Sequence, residues 1–255
     1  MLFIGSQDNP DLYTNAEAVE VPIGGIKAGE TFEEVPLVDM ITRILYPYMG
    51  PQFTAFYIDG QATLLEVGDK IEAAEVDFNW AIAHPSNVEV DSINCNDITD
   101  SVAVLTGEAN SGSVPVDLDE IEKLEATSHE WVIDATGIRG VVINRSFKVD
   151  WQWKLYYGES PLELLEDTDV QSLRVGQLAG NPSGTYNMEA GDYKWICYAS
   201  SLGELTTFVD ADTNFEVSME DVQVVELVND FGIVENYNCH RTYNTMGSDI
   251  KIRAS

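Results

Sequence analysis

Between Gly140 and Tyr157 the chain reads GVVINRSFKVDWQWKLYY, its longest β-prone run. Phe147, Val149, Trp151, Trp153 and Leu155 fall on every second position, with Lys148, Asp150, Gln152 and Lys154 between them. A period of two predicts one long strand with a buried apolar face and a wet face. A ligand platform built from Trp151 and Trp153 is the competing reading. Their shared spacing with Phe147 and Val149 turns both rings inward and favours the core.

Alternation runs through most of the chain. Phe53, Ala55 and Tyr57 alternate with Thr54, Phe56 and Ile58, and Leu64 to Val67 ends at Gly68-Asp69. Val76, Phe78, Trp80 and Ile82 share a face, and short β-prone pieces follow at Val88–Asp91, Ile93–Cys95 and Val102–Thr106. Short strands at this spacing, with one central tryptophan, describe an immunoglobulin-like sandwich without the paired cysteines of antibody domains. Leu118–Glu130 is acidic and stays open between helix and long loop. Ser160-Pro161-Leu162-Glu163 has the form of a capping box, which places a short helix through Leu165. Strands resume at Thr185–Met188, Tyr193–Tyr198, Thr206–Val209, Val222–Val228, Tyr237–Tyr243 and Ile250–Ile252.

The start of the chain differs. Residues 1–22 are polar, acidic and aperiodic, which predicts an arm. After a strand-turn pattern at Val21–Gly29, Pro36 opens a helix on which Leu37, Met40, Ile41, Ile44 and Leu45 share one face, stopped by Pro47 and Pro51. About three turns of helix are too short to stand alone, so this face predicts docking. The expected organisation is mainly β: an arm and docking helix over 1–50, an immunoglobulin-like β-sandwich over 51–152, and a second β-rich sandwich domain over 153–255.

Composition narrows the chemistry. With 44 acidic against 13 basic residues in 255, the net charge is −31, which opposes nucleic acid and anionic membranes. No run of about 18 apolar residues exists to span a membrane, and Asp8 falls too early for a signal peptide. Cys95, Cys197 and Cys239 lie far apart, suggest neither a zinc site nor a disulfide framework, and read as buried small hydrophobes. His84, His129 and His240 have no metal-type spacing, and no nucleophile elbow or phosphate loop occurs. Asp210, Asp212 and Asn214 imitate the first positions of a calcium loop, but Phe215 stands where glycine is needed and Asp221 where the closing Glu belongs. An acidic turn is the better reading, with a weak cation site as the alternative. Acid pairs such as Glu33-Glu34 and Glu166-Asp167 are expected by chance in so acidic a chain.

One resemblance runs through most of residues 20–255. GGIKAGETF, a helix ending LYPY, QFTAFYI and EVGDKI come in that order. They are followed by Phe78-Asn79-Trp80, Pro85-Ser86-Asn87-Val88, Ser92-Ile93, YYGES at Tyr156–Ser160, AGDYKWICYASSLGELTTFVD and HRTYNTMGSDIKI. This order resembles a family of tailed-bacteriophage virion structural proteins. The resemblance implies a non-enzymatic particle component (tail, baseplate, neck or fibre) located in the virion. It implies no catalytic residues, no cofactor and no metal, and an ordinary hairpin turn at Asp210–Glu216. Expected partners are other virion proteins and further copies of the chain, a trimer being the expected ring. A carbohydrate-binding or adhesive module, stacking exposed aromatics on sugars, is the alternative. A hydrolase would require a pocket joining His129 or His240 to a carboxylate.

Overall fold

The computed structural model describes residues 4–5, 12–14, 18–20, 26, 28–45, 49–108 and 112–255. The expected turn at Val21–Gly25 and the stop at Pro47 lie outside them. At the N-terminus, β1 (Ile4–Gly5), β2 (Leu12–Thr14) and β3 (Val35–Pro36) form a three-stranded antiparallel sheet that leads into α1 (Leu37–Leu45). Part of the predicted arm therefore pairs with the strand in front of the helix. Pro36 precedes the first helical residue and lies in that strand.

Strands then follow as β4 (Gln52–Ile58), β5 (Leu64–Glu66), β6 (Lys70–Ile71), β7 (Ala74–Ala83) and β8 (Ile93–Asp97). Next come β9 (Val102–Glu108), β10 (Ser113–Leu118), β11 (Ile121–Glu122), β12 (Thr127–Thr136) and β13 (Val142–Ser160). A short α2 (Asp167–Gln171) precedes β14 (Val175–Ala179), β15 (Gly184–Met188) and β16 (Tyr193–Ala199). The chain finishes with β17 (Phe208–Asp210), β18 (Gln223–Val228), β19 (Val234–Arg241) and β20 (Ile250–Ala254). The fold is mainly β, with its sheets stacked in a sandwich-like arrangement. The segment left open at Leu118–Glu130 is extended and holds β11 and the start of β12.

β13 organises these sheets. It lies in a nine-stranded sheet whose main path is β18-β19-β16-β13-β12-β8-β9. Along Val142–Trp151 it pairs with β12, and further on β14 takes up the same edge at Trp153–Tyr157. The other edge holds β5, in parallel, at Asp150–Gln152 and then β16 at Tyr156–Ser160. The division expected between residues 152 and 153 falls in the middle of this strand. The strand runs through it because its alternation never breaks there.

Two smaller sheets cover the large one. The sheet β10-β7-β4 brings Phe53, Phe56, Phe78 and Trp80 onto Trp131, Phe147, Val149 and Trp151 to make the larger core. The sheet β15-β20-β17 brings Tyr186, Phe208 and Ile252 onto Leu155, Ile196 and Tyr198 to make a second core. On β16, Trp195 and Cys197 face the first core and Ile196 and Tyr198 the second, so this part of the sheet is buried on both sides. Leu155 continues the buried alternation of Phe147, Val149, Trp151 and Trp153 and packs in the second core. Lys148 stays exposed, as the wet face requires, while Lys154 is half-buried.

Two local expectations are corrected. Ser160 does not cap a helix: it ends β13, paired with Tyr193, because the partner strand β16 extends the sheet to that point. The helix starts at Asp167, and Glu166 with Asp169 forms its capping box. Cys197 and Cys239 are not isolated thiols. They sit opposite each other on β16 and β19, both fully buried, and are joined by a disulfide. Spacing along the chain carried no sign of this, since antiparallel pairing brought them together. Cys95 is the free, buried cysteine, and burial pushes its thiol up to about 12.

Candidate functional site

Helix α1 carries two apolar stripes, each at i, i+3 and i+7. Leu37, Met40 and Ile44 form the first. Met40 is buried in a small cluster with Val19, Ile26 and Phe32, Ile44 packs against it, and Leu37 is half-buried. Val38, Ile41 and Leu45 form the second, and they are 66%, 44% and 63% exposed. Of the five residues predicted to dock, Met40 and Ile44 close the N-terminal unit on itself, while Ile41 and Leu45 face outward. Val38 was missed, although its spacing to Ile41 and Leu45 was readable. Arg43 clamps the unit by pairing with Glu30 and lying over the Phe32 ring at 5.2 Å.

A second apolar patch lies where the chain enters the β body. Asn87 donates its side-chain N–H to the Met49 carbonyl at 2.8 Å, and its own carbonyl accepts the Ile138 N–H at 2.9 Å. Met49 and Ile138, at the tip of the β12–β13 hairpin, are 57% and 53% exposed, as are Val141 and Val142 nearby at 59% each. Exposed apolar groups gathered on a soluble surface are what a protein partner covers.

The tryptophans offer no platform. Trp80, Trp131, Trp151, Trp153 and Trp195 are all buried, and the Trp151 indole N–H donates to the Asp69 carbonyl at 2.7 Å.

The Asp210–Phe215 segment forms a closed acidic turn. One Asp210 oxygen accepts the Asp212 N–H at 2.9 Å, and the other accepts the Thr213 hydroxyl at 2.8 Å. These bonds, the first above all, hold the Asp210 carboxyl below its ordinary range. Lys251 donates to Asp212 at 3.1 Å and Arg253 to the Asn214 side chain at 2.9 Å. Both Asp210 oxygens, one Asp212 oxygen and the Asn214 amide oxygen thus accept protein donors. Left-handed Asn214 (φ 59°) closes the turn before Val209 meets Glu216.

The structure places both core histidines beside other polar groups. The His129 ring is fully buried against Trp131, and Nε2 lies 2.6 Å from Asp97 Oδ2. The second Asp97 oxygen accepts the Asp100 N–H at 3.0 Å. Donor atoms of Asp97, Asp100 and His129 lie within 4.8 Å of one another. Only the first of these groups is tied down by both oxygens, and the buried Nδ1 of His129 has no partner to fix the ring as a ligand. A structural His–Asp pair bracing the β8–β9 turn accounts for the geometry. The residues stand 32 positions apart, so sequence spacing could not reveal them. His240 lies on β19 with its Nε2 3.1 Å from the Tyr198 hydroxyl, at the base of an acidic cleft.

Comparison with known protein families, curated proteins and solved structures finds no match to this chain.

Proposed function

We propose that the protein is a non-enzymatic structural component of a tailed-bacteriophage particle, attached through its N-terminal unit to other proteins of that particle. The observation that carries this reading is the outward stripe Val38, Ile41 and Leu45. These apolar side chains stay exposed after the helix has already used Met40 and Ile44 to close its own small core. A helix that needs only one apolar face to fold has no intramolecular use for the second. The order of motifs from Gly24 to Ile252 supports the particle setting. The large double-faced β body is suited to serve as a rigid arm or bridge. With a net charge of −31, the partner surface is basic around its apolar contact, and self-association into the expected trimer requires salt to screen like charges. Burial of all five tryptophans counts against the sugar-binding alternative, which is left with exposed tyrosines such as Tyr57 and Tyr243.

The test uses particles assembled with the full-length chain, the triple variant Val38→Ser/Ile41→Ser/Leu45→Ser, or a deletion of residues 1–50. The triple variant keeps the wild-type unfolding midpoint, because its side chains are exposed, yet is missing from purified particles. Normal incorporation of either altered chain removes the docking role. Absence of the wild-type chain from particles removes the particle assignment itself.

A further inference from the structure

Beyond its role in docking, we infer that the protein binds an organic cation, a lysine or arginine side chain presented by a protein, in the cleft above His240. The cleft holds about 670 Å³. Buried Tyr198, Phe208 and His240 form its floor, and Glu204, Glu216, Glu220 and Asp221 line it with no lysine or arginine among its lining residues. Glu220 has Arg241 at 3.6 Å, while Glu204, Glu216 and Asp221 have no ion-pair partner among the described residues. Negative charge above low-dielectric walls focuses the field into the cleft.

The arrangement selects between cations. The four carboxylates do not gather at the mutual distance of metal ligands, which among the described residues only Asp97, Asp100 and His129 do. Carboxylates spread around an apolar floor suit an extended cation, with its carbon stem on Phe208 and Tyr198 and its charge toward the acids.

His240 adds a second requirement. The Tyr198 hydroxyl accepts the Leu205 N–H at 2.9 Å and lies 3.1 Å from His240 Nε2, toward which it can direct its own proton. Burial lowers the pKa of His240, against the opposing pull of Glu204, and keeps the ring neutral near pH 7. Nδ1 is then the nitrogen that carries hydrogen, and it has no acceptor among the described residues. A peptide carbonyl beside a basic side chain supplies that acceptor. A free diamine does not.

The experiment follows the His240 ring signals by NMR in the full-length protein during titration with Nα-acetyl-arginine methylamide, Nα-acetyl-lysine methylamide, putrescine or Ca²⁺. The same titrations are run on Glu204→Gln/Glu216→Gln/Asp221→Asn, whose exposed positions leave the remaining amide spectrum in place. Saturable shifts with either amide, weakened about tenfold in the triple variant, are expected. Tighter binding of putrescine than of the amides overturns the inference that the cation is one presented by a protein. A response to Ca²⁺ alone, or no saturable shift up to about 50 mM amide, overturns the inference.

Discussion

Glu66 and Lys154 meet at 2.6 Å on the flank of the central sheet, and Lys154 also reaches Asp230 at 2.6 Å. Glu66 is buried and its Oε1 has no hydrogen-bond partner. Burial pushes its carboxyl above the ordinary range despite the Lys154 hydrogen bond, so loss of water outweighs the ion pair there. For Lys154, burial works to lower the ammonium, but the bonds to Asp230 and Glu66 outweigh it and raise its pKa. Lys154→Met therefore leaves a buried charge behind. It is expected to lower stability by about 2–3 kcal/mol at pH 7, with more than half recovered in the double variant that adds Glu66→Gln. Urea unfolding of the four proteins measures this, and equal midpoints for the single and double variants would mean the two groups are uncoupled.

The same pair sets a pH dependence. Both folded pKa values are raised, so each contribution is complete below its unfolded pKa and is lost as pH rises through the folded one. Relative to Glu66→Gln, the wild-type protein should lose stability as pH climbs above the ordinary carboxylate value of 4.5. Unfolding midpoints of the two proteins across pH 4.5 to neutrality give the answer, and a constant difference would deny Glu66 its raised pKa.

The Cys197–Cys239 bridge closes a stretch with a sequence separation of 42. Restricting the unfolded chain over that length is worth about 3–4 kcal/mol, so the double variant Cys197→Ala/Cys239→Ala should unfold at clearly lower urea. Thiol labelling under denaturing, non-reducing conditions should find Cys95 alone. Three reactive thiols would remove the bridge.

Gly68 sits at φ +88° between Glu66 and the turn that follows. A Cβ there would fall 2.6 Å from Ile233 Cγ1 and 2.8 Å from Phe231 Cβ, and its N–H donates to the Lys123 carbonyl at 2.8 Å. Gly68→Ala combines left-handed strain with overpacking and should cost about 2–3 kcal/mol. Gly60→Ala is the control, having a similar φ of +71° and open space around the added carbon. If the two variants unfold together, crowding by the β18–β19 turn contributes nothing.

The alternation of Phe147, Val149, Trp151 and Trp153 with polar neighbours determined that the chain is mainly β and that its longest strand buries its tryptophans. It also placed Leu37, Met40, Ile41, Ile44 and Leu45 on one short helix, without showing which of them turn inward. Periodicity reports such features because it is a property of neighbouring residues and the angle between them. Tertiary structure decided the rest. It carried β13 across the expected division at 152/153, set Leu155 against the partners of a second core, and ended Ser160 in a strand where a cap was legible. It also brought Cys197 to Cys239, His129 to Asp97, and Tyr198 and His240 to the floor of one acidic cleft. Those partners stand 32 to 42 residues apart, and strand pairing, which leaves no local pattern, brings them into contact.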